Sequence, residues 1–190
     1  MHLLPAADRL VQPWKNGGGT TSEVAASPPG VGLEAFDWRI SMASVATPGR
    51  FSYFDGVDRT LAVIEGRLGL AFDSQAELVE LTAASRPYAF PGDIGCFGAP
   101  VGGEVIDLNL MVRRGRWTGT IERLASPERV SIAPAARSTI ILFRGEGRVR
   151  WRSETVLLKP WDAVRLDDAA DEPIALAVIG DTYVISLSIR

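Results

Sequence analysis

Apolar and polar residues alternate with a period of two in short runs broken by Gly, Pro and Asp. No window sustains the i, i+3, i+4, i+7 spacing of an amphipathic helix. The pattern predicts an all-β protein with strands over 36–43, 59–65, 68–72, 105–112, 138–143, 148–151 and 183–189, all rich in β-branched and aromatic residues. In 36–43, Trp38, Ile40 and Met42 share one face and Arg39 and Ser41 the other. In 105–112, Asp107, Asn109 and Met111 line up opposite Ile106, Leu108 and Leu110. A strand this apolar is expected to be covered on both sides, so Asp107 and Asn109 need partners inside, either an arginine or a ligand.

Two stretches repeat an order of features. Residues 59–70 and 138–149 each read as strand, glycine turn, strand, with Gly66 and Gly145 expected to supply the positive φ of a hairpin. Each is followed by a Pro-x-Asp turn, Pro91-Gly92-Asp93 and Pro160-Trp161-Asp162. Strand, glycine, strand, Pro-Gly-Asp resembles one half of a cupin barrel. The expected architecture is therefore a two-lobed, jelly-roll-like β-barrel, or bicupin, with a first lobe over 1–115 and a second, packed on it, over 116–190. Residues 113–137 are expected to hold a turn, one strand near 117–124 and a connector between the lobes.

Composition narrows the chemistry. Of the 190 residues, 46% are hydrophobic and 23% charged, an ordinary balance for a folded domain. The net charge of -3, without any block of like charges, argues against nucleic-acid binding, which needs a concentrated basic face. No apolar run approaches the roughly 18 residues of a membrane span, and the amino terminus has no basic segment leading into an apolar one. With one cysteine, Cys96, these features point to a cytoplasmic protein without membrane partners. The only histidine is His2, so a histidine-built metal site and His-dependent nucleophilic catalysis have no ligand set or base. No P-loop or dinucleotide fingerprint follows the glycines at 17–19, and Cys96, between apolar neighbours, reads as a buried structural thiol. No metal, cofactor or catalytic residue is expected, and only carboxylate, lysine or tyrosine acid–base chemistry stays open.

Four segments invite a functional reading. In Trp14-Lys15-Asn16-Gly17-Gly18-Gly19-Thr20-Thr21-Ser22-Glu23, the glycine amides, Lys15, Asn16 and Thr20 could cradle an anion, or the glycines could simply turn the chain into a strand near Glu23. Lys15 is notable because 18 of the 20 basic residues are Arg. Arg39 beside the small Ser41 could grip a carboxylate bidentately. Asp107 and Asn109 could orient a ligand. Residues 51–59 read as a hairpin corner, with Arg59 opening the next strand.

Together, Trp14-Lys15-Asn16-Gly17-Gly18-Gly19-Thr20 through Glu23, Phe36-Asp37-Trp38-Arg39-Ile40-Ser41, Phe51-Ser52 through Gly56-Val57-Asp58-Arg59 and Asp107-Leu108-Asn109-Leu110-Met111 resemble the HutD/Ves family over residues 1–115. The resemblance implies a bicupin without the metal motif, associated with bacterial histidine utilisation. It further implies a regulatory protein that binds a small anionic pathway intermediate such as formylglutamate. Carried over by motif, the ligand-binding candidates are Lys15, Asn16, Thr20, Glu23, Arg39, Ser41, Arg59, Asp107 and Asn109. The alternative is a metal-independent isomerase or hydrolase acting on a small acid, with Glu23 or Asp107 as base and Lys15 as electrostatic stabiliser. Pairing of edge strands would make a homodimer.

Overall fold

The computed structural model describes residues 1–14, 17–125, 130–132, 136–168 and 172–190. In chain order the strands are β1 (His2–Leu4), β2 (Val11–Pro13), β3 (Gly19–Ser27), β4 (Trp38–Val45), β5 (Gly49–Arg50), β6 (Val57–Glu65), β7 (Arg67–Phe72), β8 (Val79–Thr82), β9 (Tyr88–Pro91), β10 (Cys96–Pro100) and β11 (Val105–Arg113). They continue as β12 (Trp117–Leu124), β13 (Val130–Ile132), β14 (Ser138–Phe143), β15 (Gly147–Trp151), β16 (Glu154–Leu158), β17 (Ala163–Asp167), β18 (Ile174–Val178) and β19 (Thr182–Ile189). Among the described residues the only helical piece is one 3-10 turn, Ala6–Asp8.

The chain divides into two compact units, Leu10–Arg116 and Met1–Arg9 with Trp117–Arg190. The first nine residues, placed by sequence in the first lobe, pair instead in the C-terminal unit, where β1 runs antiparallel to β17. Backbone amides drive this placement as well: the Ala6 N–H donates to Asp162 Oδ1 at 2.8 Å.

The N-terminal unit contains a six-stranded sheet, β2-β3-β4-β11-β6-β9, and a four-stranded one, β5-β10-β7-β8. Its apolar core joins Val45, Leu61, Val63, Phe90 and Val105 of the larger sheet to Leu68, Leu70, Phe72, Leu81 and Cys96 of the smaller. The C-terminal unit repeats the arrangement with β1-β17-β14-β19-β12 and β13-β18-β15-β16. Ile141, Phe143, Val164 and Val184 from its larger sheet pack with Val149, Trp151, Leu158, Ile174 and Leu176 from its smaller. Two antiparallel sheets closing on an apolar interior is the jelly-roll solution to burying one face of each sheet.

The glycine repeat marks a different feature from the hairpins expected. β6 and β7 lie in different sheets, as do β14 and β15, so each glycine turn carries the chain from one sheet to the other. Gly66 does so with a φ of 83°. Gly145 is not among the positive-φ glycines. Its lack of a side chain serves proximity, because a Cβ there would collide with the Ile179 carbonyl oxygen. The two Pro-x-Asp turns use their carboxylates alike: Asp93 accepts from the Gly56 amide at 3.3 Å, and Asp162 from the Lys159 amide at 2.9 Å.

Candidate functional site

Strand register decides which polar side chains meet. Across the six-stranded sheet, Glu23 lies opposite Ser41, Ser41 opposite Asn109, and Asn109 opposite Leu61. One row along, Ala26, Arg39, Met111, Arg59 and Phe90 are successive partners; on the other side, Thr21, Ala43, Asp107 and Val63 are. Directly paired residues share a face, and Leu61, Val63 and Phe90 belong to the core between the two sheets. Glu23, Arg39, Ser41, Arg59, Asp107 and Asn109 therefore all point into the interior of the N-terminal unit. Two irregularities adjust this face: the register shifts between Glu23 and Ala25 on β3, and between Ile106 and Asp107 where β11 meets β6. Bulges of this kind re-aim side chains near sites.

Burial deepens along the face. The Glu23 side chain is 39% exposed and that of Arg39 12%, and the two form an ion pair at 2.8 Å. Beyond them Ser41, Asn109, Arg59 and Asp107 are buried. Three atoms at this buried end have no hydrogen-bond partner among the described residues: Arg59 Nε, Asp107 Oδ1 and Asn109 Oδ1. Natural folds rarely leave such groups unsatisfied, since each orphan costs ~1–3 kcal/mol and more when charged.

Arg59 is held by an aromatic cage. Its guanidinium carbon lies 5.0 Å from the centre of the Phe51 ring, 5.3 Å from Phe90 and 6.0 Å from Phe54. Nη1 reaches the Ser52 carbonyl at 3.4 Å, a long bond. Contacts of this type stabilise a cation through the ring quadrupoles. They leave the edge carrying Nε to meet an acceptor in the guanidinium plane, the geometry in which arginine grips a carboxylate with two parallel bonds. Burial is the main influence on Arg59 and lowers its pKa, opposed by Asp107. Asp107 is pushed up to about 7, mainly by burial, with Arg59 pulling it back. Burial likewise raises the Cys96 thiol to about 11, so it stays protonated and inert, as its apolar context suggested.

The remaining candidates fall elsewhere. Lys15 and Asn16 lie outside the described residues. Thr20 pairs with Ser44, one residue out of phase with Thr21 and Ala43, so it faces the other side of the sheet from the cluster. The Gly17 N–H donates to the Trp14 carbonyl at 3.0 Å in a turn where Gly17 has a φ of 69°, and Gly19 already lies in β3. At Gly19 a Cβ would strike the Ser44 carbonyl and press on the Trp14 ring. The close approach lets Trp14 pack against the core and donate its indole N–H to Thr21 Oγ1 at 2.7 Å. The sequence reading missed the cage, Phe51, Phe54, Phe90 and Ser52. Only the dense aromatics of 51–54 hinted at it, and Phe90 comes from a strand the periodicity did not reveal.

No group of three or more His, Cys, Asp or Glu residues among the described ones could hold a metal ion. In the C-terminal unit, aliphatic and aromatic side chains pack together between the sheets, with the buried threonines Thr139 and Thr182 on the same strand faces. A groove of about 560 Å³ there, lined by Glu146, Arg148, Leu157 and Ile179 among others, is open and presents no buried charged group.

Paired jelly-roll sheets, repeated in two units, define a protein of the bicupin class. Oxalate decarboxylase of Bacillus subtilis, at 7% identity and a TM-score of 0.65, covers 99% of this chain and 77% of its own, a likeness of fold alone. The chain belongs to the HutD family, whose model matches residues 6–184. An uncharacterized 21.2 kDa protein from the region 3′ of hutC in Pseudomonas putida is 32% identical over all of this chain and 98% of its own length. HutD from Pseudomonas fluorescens SBW25, in a structure from a formate condition, has a TM-score of 0.81 at 29% identity, covering 100% of this chain and 98% of that one. A conserved protein of Pseudomonas aeruginosa PAO1 reaches a TM-score of 0.90 at 26% identity, covering 98% of each chain. Protein Ves of Citrobacter koseri is 35% identical over 54% of this chain and 53% of its own. The function is accordingly associated with histidine utilisation. No helix of the described residues is long and apolar enough to cross a membrane.

Proposed function

We propose that the N-terminal unit is the binding site of a cytoplasmic regulatory protein of histidine utilisation, and that it holds a small anionic metabolite, such as formylglutamate, by its carboxylate. One observation carries the reading: the buried Arg59 presents an unpartnered Nε beside the unpartnered oxygens of Asp107 and Asn109. Bringing a carboxylate onto Arg59 satisfies the donor and compensates both charges once removed from water. Ser41 and Asn109 share this face with the more exposed Glu23–Arg39 pair, and Asn109 offers an acceptor for an amide or amine of the ligand. The family and the hutC-region relative supply the metabolic context.

Calorimetric titration with histidine, urocanate, formiminoglutamate, formylglutamate, glutamate and formate tests it. Selective binding of carboxylates, lost in Arg59→Met, is expected. Binding of none of them at millimolar concentration overturns the reading. A metal-independent enzyme would instead turn over one of these acids and lose that turnover in Asp107→Asn.

A further inference from the structure

Charge balance in the buried cluster has a consequence for ligand uptake. The ionisable groups on the interior face of the larger sheet are Glu23 on β3, Arg39 on β4, Asp107 and Arg113 on β11, Arg59 on β6 and Tyr88 on β9. Arg113, only partly buried at the end of β11, bonds the Asp55 and Glu34 carbonyls and lies over the Phe36 ring. The smaller sheet contributes Cys96 from β10; its other charged side chains, the Arg50–Asp73 and Arg67–Glu80 pairs of β5, β7 and β8 with the loop after β7, lie at the surface. Glu23 and Arg39 neutralise each other at 2.8 Å. That leaves one buried cation, Arg59, facing one buried carboxyl, Asp107. A ligand carboxylate on Arg59 would add a second negative charge to a site with a single positive one, and an uncompensated buried charge is far more costly than a bound proton.

We propose that the site takes up its carboxylate ligand together with one proton, held on Asp107. The proposal rests on the carboxylate-binding reading above and adds how that binding is regulated. A protonated Asp107 becomes a donor, so it no longer repels the ligand and can donate to a ligand oxygen or to the unpartnered Asn109 Oδ1. Burial already holds this carboxyl near neutrality, with Arg59 opposing. A ligand that engages Arg59 weakens that opposition and drives the proton on. The proton comes from solvent, and no bond other than O–H forms. Affinity for the metabolite thereby follows cytoplasmic pH.

The test is calorimetry of the full chain with N-formylglutamate, whose carboxyls do not titrate in the range used, from about pH 6 to 9 in two buffers of different ionisation enthalpy. Above about pH 7.5, Kd is expected to weaken ~10-fold per pH unit with about one proton absorbed per ligand, and to level off below about pH 6.5. Asp107→Asn should abolish both the slope and the proton uptake. Ligand binding that is pH-independent, with no proton absorbed, overturns the proposal and leaves the carboxylate reading standing; so does a slope that persists in Asp107→Asn. No binding at any pH overturns both. If the variant fails to fold or to bind, the wild-type measurement in two buffers decides alone.

Discussion

Replacing Asp107 by Asn in the ligand-free protein should remove a pH-dependent loss of stability. The carboxyl stands at about 7 in the folded protein, against 3.8 for an ordinary Asp, because it is buried. Between those values the native state keeps a proton that the unfolded chain has released. Wild-type stability therefore falls as pH rises through this window and levels off above about 7. Asn does not titrate, so the variant gains on wild type over the same interval. At ~1.4 kcal/mol per pKa unit the ceiling is about 4 kcal/mol. Water entering beside the ionised group reduces it, and a difference of at least ~1 kcal/mol is expected. For a chain of this length, that corresponds to ~2–4 °C in Tm per kcal/mol. Thermal and urea unfolding of both proteins between about pH 4.5 and 8 provides the comparison. The difference between pH values matters, since it cancels the fixed cost or gain of exchanging a carboxyl for an amide. A constant difference across the range would mean that Asp107 is ionised or solvated in the folded state and would refute a burial-raised carboxyl.

Arg59→Met keeps the stem packed among Phe51, Phe54 and Phe90 but removes the charge; carboxylate affinity should fall ~10- to 100-fold, read by calorimetry, as for a lost charged hydrogen bond. Gly145→Ala drives a methyl into the Ile179 carbonyl and should cost ~1–3 kcal/mol in urea unfolding, whereas Gly32→Ala, with open space around it, should cost far less. Arg114 closes the end of the N-terminal unit by bonding Asp58 at 2.7 Å and Asp93 at 2.8 Å, so Arg114→Ala should cost about 1 kcal/mol near neutral pH. The bond from Arg114 holds the Asp93 carboxyl below its ordinary 3.8. Its contribution is thus complete above that value and lost as pH falls through the depressed pKa, where wild type and Arg114→Ala should converge in Tm.

Much of this protein is local, and local features are legible. Strands 138–143 and 105–112 were visible because burial on both sides demands apolar runs, and residues 36–43 because one face alternates with the other. The sharing of a face by Asp107 and Asn109, or by Arg39 and Ser41, follows from the period of two alone. Short strands such as β8, β9 and β10 were not legible, since four or five residues carry too little periodicity to stand out from loops. Register could not be read either. A one-residue slip moves every side chain to the opposite face, and two bulges set which residues of β3 and β6 meet the polar ones of β4 and β11. Thr20, grouped with Glu23 by motif, stands three residues from it on β3, so the period of two by itself places them on opposite faces. The sequence by itself determined the all-β class, the duplicated order of turns, the family and the chemical types available for a site. Only the tertiary structure decided that Arg59 Nε, Asp107 Oδ1 and Asn109 Oδ1 are buried on one interior face without hydrogen-bond partners among the described residues. Those facts depend on long-range pairing of five strands and on which buried donors and acceptors remain unmet, and no local pattern records either.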